Sequence, residues 1–353
     1  MSSSRDTSPS ILLIRRRYLG DLVLLGTALR NLRLHWPAAR LTVLTEPAHA
    51  GVLAINPDVD AVLTFPRKLA DWWKLWRALR DARFTHVFDF DNRDKTALIS
   101  RLSGAPHRYV IHHGGPPHLG WAYTDHEIVE AEYFDNHHIT DYTHRLLTRA
   151  GVPIVSHDVV LRPRTADLEL VRSLSELTSL PRDRPRVLVH PGSRSAFRVW
   201  PAENFAAVCD RLQTEKLASI TLVAGPGDLP LVEAIRTQMR SSVATLRQTF
   251  SVPELGALFA SFDLLLCHDS GPMHIAAGVG TRVVALLGSQ NPAPFRPLGP
   301  DHVLLSPPLP CQHCVAPREC QPDDAYHNYC VRNITPDEVF AAVAASCRSR
   351  PAQ

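Results

Sequence analysis

A short polar segment in the second half of the chain, Asp269-Ser270-Gly271-Pro272-Met273-His274, has the residue types of an anion-binding loop. It follows the apolar run 264–266, which is typical of a buried strand, and Pro272 favours the first turn of a helix. The N–H groups at a helix start lack partners within the helix and lie at the positive end of its dipole. We therefore expect an anion such as a diphosphate to bind here; the structural alternative is that Asp269 or Ser270 caps the helix.

Two further loops follow apolar runs in the same half of the chain. The sequence His190-Pro191-Gly192-Ser193 follows the run 187–189, and Gly225-Pro226-Gly227-Asp228 follows the run 221–223. Their small residues allow a ligand to approach the backbone closely, and Arg198 adds a permanent positive charge nearby in the sequence. Alone, the His190 loop is equally typical of a turn, the Gly225 loop is more often a turn, and Arg198 is typical of a surface charge. At the shared carboxyl edge of a parallel sheet, together they favour a nucleotide site.

The first half of the chain offers one candidate catalytic carboxylate. Asp21 follows the apolar run 11–14 and the segment Arg15-Arg16-Arg17-Tyr18-Leu19-Gly20. The compact G-x-G-x-x-G loop of a dinucleotide-binding dehydrogenase is absent at this point. Gly20 allows the backbone to turn, so Asp21 stands at the expected start of a helix, either as a general base or as a simple N-cap.

Two patterns raise the question of a metal. Asp89-Phe90-Asp91 matches a short acidic pattern that holds divalent ions, although three residues match by chance often and strand-end structure is the favoured interpretation. Four cysteines that could hold structural Zn or Fe lie close together near the C-terminus, with free thiols or disulfides as the alternatives. These cysteines are Cys311, Cys314, Cys320 and Cys330.

Composition restricts the class of protein. The 353 residues carry a formal net charge of +3, with no long Lys or Arg run, which disfavours nucleic acid as a partner. No segment approaches the roughly 18 apolar residues of a membrane span, and the Ser-rich start has no signal-peptide core. Seven cysteines do not resemble a secreted disulfide framework. We expect a cytoplasmic protein.

The elements that must position these residues alternate between strand and helix in both halves of the chain. This rhythm predicts an α/β protein with two doubly wound parallel sheets that face each other across a cleft. The expected organisation is a disordered tail 1–10, a Rossmann-like domain 11–165, a linker 166–185, a second Rossmann-like domain 186–335 with the cysteine cluster 311–330, and a C-terminal helix and tail 336–353.

In chain order, these motifs resemble the ADP-heptose:lipopolysaccharide heptosyltransferases of glycosyltransferase family 9. The resemblance extends from residue 11 to about residue 345, and the stretch 72–108 with Pro272-Met273-His274 is most similar to the heptosyltransferase III branch. The segments that carry it are Arg17 to Asp21, Asn56 to Asp60, Leu102 to Ala105, His190 to Ser193, Arg198 to Pro201, and Asp269 to Ala277.

The resemblance implies a GT-B fold, ADP-heptose as the donor and an acceptor in the inner core of lipopolysaccharide or linked to lipid A. It also implies inversion at the anomeric carbon without a catalytic metal. Asp21 matches the proposed general base. The residues implied to bind the donor are His190, Gly192, Ser193, Arg198, Asp228, Asp269, Ser270, Gly271 and His274; those implied on the acceptor side are Arg17, Gly20 and His138.

One departure and several alternatives remain. Arg198 stands where the family usually has Lys, which keeps the charge but changes its reach.

A membrane-anchored acceptor would require peripheral contact with the inner membrane, for which Arg15 to Arg17 and Arg67 are candidates. The alternative functions are a nucleotide-sugar epimerase of the same architecture and a heptosyltransferase that acts on protein.

Overall fold

The computed structural model describes residues 8–130, 132–181, 183–194, 198–288, 291–307 and 329–348. The chain divides into two compact units, with the boundary between Val160 and Leu161. Each unit contains one six-stranded sheet in which all neighbouring strands are parallel. The predicted pair of Rossmann-like, doubly wound domains is therefore confirmed.

The first unit has strand order β3-β2-β1-β4-β5-β6. Its strands are β1 Ser10–Ile14, β2 Arg40–Thr45, β3 Ala61–Thr64, β4 His86–Asp89, β5 His107–His113 and β6 Asp125–Val129. Its α-helices are α1 Leu19–Leu24, α2 Gly26–His35, α3 Trp72–Asp81, α4 Asp94–Leu102, α5 Tyr133–Asn136 and α6 Ile139–Arg149, with 3₁₀ turns at Pro47–Ile55, Leu69–Asp71 and Gly120–Ala122. The run Ile11 to Ile14 is fully buried, as expected of a central parallel strand covered on both faces.

The second unit has strand order β12-β11-β10-β7-β8-β9. Its strands are β7 Arg186–His190, β8 Ser219–Val223, β9 Ala244–Leu246, β10 Leu264–His268, β11 Arg282–Leu286 and β12 Val303–Leu305. Its helices are α7 Thr165–Arg172, α8 Ser175–Thr178, α9 Ala202–Thr214, α10 Leu229–Gln238, α11 Val252–Ala260, α12 Gly271–Gly278, α13 Pro292–Phe295, α14 Tyr329–Arg332 and α15 Pro336–Arg348. Trp200 is fully buried in the core of this unit.

The segment 166–185, which we predicted to be a linker, is instead largely helical and belongs to the second unit. Helix α7 begins where Arg164 forms two hydrogen bonds, of 2.6 and 2.8 Å, with the Asp167 carboxylate. Val171 and Leu177 are buried, so these two short helices are anchored by apolar contacts that the polar, proline-flanked sequence concealed. The predicted tail is also too long, because Ser10 already begins β1.

The order of the strands places one topological switch point in each sheet. In the first unit it lies between β1 and β4, and in the second between β10 and β7, because successive strands extend the sheet in opposite directions from these pairs. In open α/β sheets, ligands bind at the carboxyl ends of the strands at such points. The switch points therefore indicate where each unit holds its site.

None of the helices in the described part of the chain combines the length and apolar composition needed to cross a membrane.

Candidate active site

Asp21 lies in the first turn of α1, directly after the switch-point strand β1. The N-cap of this helix is Tyr18, whose backbone N–H donates a 2.7 Å hydrogen bond to Asp21 Oδ2. The other carboxylate oxygen, Oδ1, accepts a hydrogen bond from the guanidinium of Arg15. Asp21 thus supports the helix start and holds a charged partner, so the capping and catalytic interpretations are compatible.

Arg15 connects Asp21 to the end of the neighbouring strand β4. Its Nη1 donates a 2.8 Å hydrogen bond to the carbonyl oxygen of Phe90 and lies 3.6 Å from Asp91 Oδ1. Burial lowers the pKa of Arg15, but the nearby Asp21 and Asp91 carboxylates outweigh that effect and raise it. Arg15 is therefore a permanent cation that fixes the position of Asp21.

The carboxylates of Asp89 and Asp91 accept hydrogen bonds from other groups of the protein. Asp89 is fully buried and accepts hydrogen bonds from Asp91 N at 2.9 Å and from the Tyr123 hydroxyl at 2.6 Å. Asp91 Oδ2 accepts from Arg16 N at 2.9 Å. Burial raises the pKa of Asp91 to about 6, although Arg15 acts in the opposite direction. These contacts support a structural role, the interpretation that the sequence favoured.

A small cavity lies beside the Asp21 carboxylate. Its walls come from α1, α6, the residue between α1 and α2 and the loop after β1, and they combine the ion pair with apolar and hydroxyl groups. The lining residues are Arg15, Asp21, Leu24, Leu25, Ile139, Tyr142 and Thr143. Burial raises the pKa of Tyr142, so its hydroxyl keeps its proton at neutral pH. The cavity thus presents one carboxylate and two hydroxyl groups.

The three predicted acceptor-side residues differ in their environments. His138 is buried and is the N-cap of α6, where its Nδ1 accepts a 3.3 Å hydrogen bond from Thr140 N. It orients the helix that carries Tyr142 and Thr143. Arg17 is exposed and Gly20 is half-buried in the loop and helix start next to Asp21. An acceptor role for these residues stays a prediction.

In the second unit, His190, Gly192 and Asp228 are brought together at the carboxyl ends of β7 and β8. A Cβ built on Gly192 would overlap the Asp228 carboxylate, and one on Gly225 would lie 2.5 Å from Asp228 Oδ2 and 3.2 Å from His190 Nε2. Burial lowers the pKa of His190, although Asp228 favours its protonated form. The carboxylate of Asp228 is therefore enclosed by two glycines and a buried imidazole. Ser193, which follows in the same loop, is half-buried.

Arg198 and Asp269 meet at the neighbouring strand end, with Arg198 Nη1 at 3.5 Å from Asp269 Oδ2. The segment that carries Arg198 is anchored by Trp200, whose backbone N–H donates to His268 Nε2 at 2.9 Å and whose indole N–H donates to the Ile334 carbonyl at 2.9 Å. Burial raises the pKa of Asp269, and Arg198 opposes that increase. The two loops are thus held against each other by buried contacts.

Helix α12 begins directly after Asp269. Ser270 is its N-cap, but the Ser270 hydroxyl donates at 3.3 Å to the His268 carbonyl and makes no capping hydrogen bond to the helix. Pro272 contributes no N–H, so the first turn presents the amide of Gly271 at the positive end of the helix. His274 is buried within this helix. The geometry is compatible with an anion at the helix start.

Sequence reasoning missed the partners of Asp21. We considered Arg15 only for membrane contact, and Asp91 only for strand-end structure or a metal, whereas both support the candidate base. The available signal was the position of each residue directly after an apolar strand, because adjacent parallel strands end at one edge. Cys311, Cys314 and Cys320 lie outside the described residues, and Cys330 is buried.

The two Rossmann-like units have the fold of GT-B glycosyltransferases, and comparisons with known proteins show that the chain is one. The family profile for glycosyltransferase family 9 (heptosyltransferase) matches residues 72–323. Lipopolysaccharide heptosyltransferase 3 of Escherichia coli strain K12 is 26% identical over 291 residues, which cover 80% of this chain and 83% of the relative. This relative is of the branch that the sequence indicated.

Two solved structures have the same fold over nearly their whole length. A family 9 glycosyltransferase from Veillonella parvula has a TM-score of 0.81 at 20% identity and covers 99% of this chain and 100% of its own. E. coli ADP-heptose lipopolysaccharide heptosyltransferase II has a TM-score of 0.76 at 19% identity, with coverage of 96% and 98%. The chain belongs to glycosyltransferase family 9, the heptosyltransferase family.

Proposed function

We propose that this glycosyltransferase transfers heptose from ADP-heptose to the inner core of lipopolysaccharide or to a lipid A-linked acceptor. The observation that carries the proposal is the Asp21 carboxylate, which Arg15 and Tyr18 N hold at the switch point of the first sheet. The names of similar proteins supply the two substrates: lipopolysaccharide heptosyltransferases 2 and 3 of E. coli name the sugar and the acceptor, and E. coli ADP-heptose lipopolysaccharide heptosyltransferase II names the donor.

The proposed reaction is a single displacement with inversion. An acceptor hydroxyl oxygen attacks C1 of the donor sugar while its proton passes to Asp21. The bond between C1 and the diphosphate oxygen breaks at the same time, and ADP leaves with the electron pair. Each oxygen of the Asp21 carboxylate accepts one hydrogen bond, Oδ1 from Arg15 and Oδ2 from Tyr18 N. A carboxylate oxygen has two lone pairs, so each retains one for the incoming proton.

The groups proposed to bind the donor are those at the strand ends of the second unit. The start of α12 and the Arg198 guanidinium offer positive charge to the departing diphosphate. Asp228 and His190 lie next to Gly192 and Gly225, and the Asp228 carboxylate can accept hydrogen bonds from the hydroxyl groups of a ribose. The predicted roles of Ser193, Asp269, Ser270, Gly271 and His274 are retained in this proposal.

The proposed chemistry needs no metal, since Asp21 accepts the proton and fixed protein charges stabilise ADP. We expect transfer to continue after treatment with a chelator. A structural Zn or Fe ion at Cys311, Cys314, Cys320 and Cys330 is a separate proposal, supported by their thiol chemistry and sequence spacing. Metal analysis of the purified chain, with Cys314→Ser as the comparison, tests it.

A donor competition experiment tests the function directly. ADP-heptose, other ADP-sugars, UDP-sugars and GDP-sugars are compared for binding, and turnover is followed with and without a heptose-deficient lipopolysaccharide acceptor. The expected result is selective binding of ADP-heptose and ADP release that depends on the acceptor. Failure of ADP-heptose to bind would overturn the proposal, and a change in the donor sugar without acceptor would indicate an epimerase. Transfer to protein alone would indicate the protein-directed alternative.

We further propose that the enzyme acts in the cytoplasm, in peripheral contact with the inner membrane. Three apolar side chains in the first unit support this contact: Leu69 is 88% exposed, Trp73 56% and Trp76 51%. Their spacing of four and three residues brings them to one side of the turn and helix α3. Lys68, Lys74 and Arg77 flank them and match anionic lipid headgroups. Lys74 and Arg77 pair with Asp71 and Asp81, but their side chains stay 65% and 69% exposed, so they can still reach a headgroup. Arg15 and Arg16, our earlier candidates, are engaged in ion pairs within the unit.

A further inference from the structure

Three residues of the first unit that the proposed reaction does not use form a compact cluster of metal-ligating groups. They are Asp141, His144 and His157, and one ligand atom from each lies within 4.8 Å of the others. His144 is buried, Asp141 is half-buried and His157 is exposed. The cluster therefore combines a fixed inner ligand with an outer ligand that solvent can reach.

Helix α6 supplies two of the three groups. Asp141 and His144 are three residues apart, so they lie on the same face of the helix. The same spacing of a carboxylate and a histidine is used for metal binding inside helical bundles. Asp141 Oδ2 accepts a 3.3 Å hydrogen bond from His138 N, which holds the carboxylate against the helix start. We assign the other oxygen, Oδ1, to the metal.

A buried hydroxyl sets the protonation of His144. Thr27 is fully buried, and its hydroxyl donates to the Leu24 carbonyl at 3.2 Å. It therefore accepts the hydrogen bond of 3.0 Å that joins its Oγ1 to His144 Nε2, so Nε2 carries the ring proton. The lone pair then remains on Nδ1, and the ring is fixed by a partner of the kind that orients metal-binding histidines.

The third ligand belongs to an extended segment that a buried side chain holds in place. Asn31 of α2 is fully buried, and its Oδ1 accepts hydrogen bonds from Val155 N at 2.8 Å and Ser156 N at 3.0 Å. Asn31 Nδ2 donates to the Ser156 carbonyl at 2.7 Å. The backbone next to His157 is thus fixed, and the His157 ring lies 5.2 Å from the His144 ring, centre to centre.

We propose that Asp141, His144 and His157 bind one divalent transition-metal ion, for which Zn²⁺ is the natural probe, with water as the fourth ligand. Two imidazoles and a carboxylate with one open position are a common Zn²⁺ ligand set. Ligand atoms of a tetrahedral zinc site lie about 3.3 Å apart, given metal bonds of about 2.0 Å. The exposed His157 side chain can rotate to close the remaining distance.

Bound metal would connect α6 directly to the extended segment at His157, which Asn31 of α2 already holds in place. Helix α6 also carries Tyr142 and Thr143, which line the cavity beside Asp21. The ion would therefore stabilise the first unit and fix the helix that forms one wall of this cavity. This role is independent of the donor and acceptor that we propose, so failure of either proposal leaves the other intact.

The test is Zn²⁺ binding to the full-length, tag-free protein after metal removal, with Co²⁺ as a spectroscopic substitute. His157→Ala is the main variant, because an exposed side chain can be removed without disturbing the core. His35→Ala is the matched control, since His35 is exposed on α2 and lies outside the cluster. Asp141→Asn is a second variant that keeps an oxygen to accept from His138 N.

The expected result is that His157→Ala loses one equivalent of bound metal, or binds it at least about 10-fold more weakly, while His35→Ala equals the parent. Zn²⁺ should also raise the melting temperature of the parent and the control more than that of His157→Ala. Equal stoichiometry and affinity in the parent, His157→Ala and Asp141→Asn would overturn the proposal. So would Co²⁺ spectra that show sulfur ligands alone, because the metal would then reside at the cysteines.

Discussion

Gly192 and Asp228 approach each other so closely that a Cβ at position 192 would occupy the space of the Asp228 carboxylate. These residues lie after β7 and at the start of α10, and they are 36 positions apart in the chain, from 192 to 228. Position 192 therefore needs a glycine, because the Asp228 side chain from another loop fills the space that a Cβ would take. This contact links the two loops that we propose for donor binding.

We expect Gly192→Ala to displace Asp228 and weaken ADP binding at least about tenfold, with a loss of folding stability of about 1–3 kcal/mol from overpacking. Calorimetric titration with ADP and thermal unfolding measure the two effects. Gly115→Ala is the control, because a Cβ there meets nothing within 4 Å. Parent-like ADP affinity in Gly192→Ala would show that the Asp228 position does not matter for donor binding.

Asp21→Asn should lower kcat by about 10²- to 10⁴-fold, because an amide cannot accept the acceptor proton. The Kd for ADP should stay at the parent value, since the proposed donor groups belong to the second unit. Asp60→Asn is a matched control, since Asp60 also accepts from an arginine, Arg33, at 2.6 Å and a backbone N–H, that of Leu41, at 2.7 Å. Near-normal turnover in Asp21→Asn would remove the base from the mechanism.

Arg198→Met should weaken ADP binding about 10- to 100-fold, which corresponds to the loss of a charged contact with the diphosphate. Arg198→Lys should stay within about threefold of the parent, because the positive charge is retained. Arg184→Met, which removes the partner of Asp183 in the same unit, serves as the control. If Arg198→Met and Arg184→Met bind ADP equally well, Arg198 does not contact the donor.

The pH dependence of stability should report Asp91. Its pKa of about 6 in the folded chain exceeds the ordinary value of about 3.9, so the folded state holds more protons between these values. The free energy of unfolding should therefore decrease as pH rises from about 4 to 6. Asp91→Asn should lose this dependence. Its free energy of unfolding should therefore rise relative to that of the parent by about 1–3 kcal/mol between pH 4 and pH 6.

Urea unfolding at pH 4, 5, 6 and 7 measures this effect. Asp81→Asn, which removes an exposed carboxylate of the same unit, should preserve the slope of the parent. Parallel stability curves for Asp91→Asn and the parent would contradict the assignment.

The double variant Trp73→Ser/Trp76→Ser should bind vesicles of mixed neutral and anionic phospholipid at least about tenfold more weakly than the parent, because it loses the exposed apolar surface of α3. Vesicle sedimentation at two salt concentrations measures the binding and its electrostatic part. Trp121→Ser is the control, because Trp121 is 63% exposed elsewhere in the same unit. An equal loss in the control would argue against a contact surface on α3.

Several features of the fold and site were predictable because their signals are local. The apolar runs at Ile11 to Ile14 and Leu264 to Leu266 predicted buried strands, and Pro272 after Asp269 predicted a helix start. The helical segment 165–178 was missed, since only a few of its residues face the core and prolines flank it. The burial of Val171 within the second unit could be seen only in the structure.

The sequence by itself determined the alternation of strands and helices, the chemical groups at the strand ends and the family to which they point, since each depends on neighbouring residues. The tertiary structure decided which of those groups meet. Strand order places the end of β4 beside β1, so Asp91 reaches Arg15 and Arg15 reaches Asp21. Strand order likewise places Asp228 against Gly192. Such contacts join residues far apart in the chain, and no local pattern encodes them.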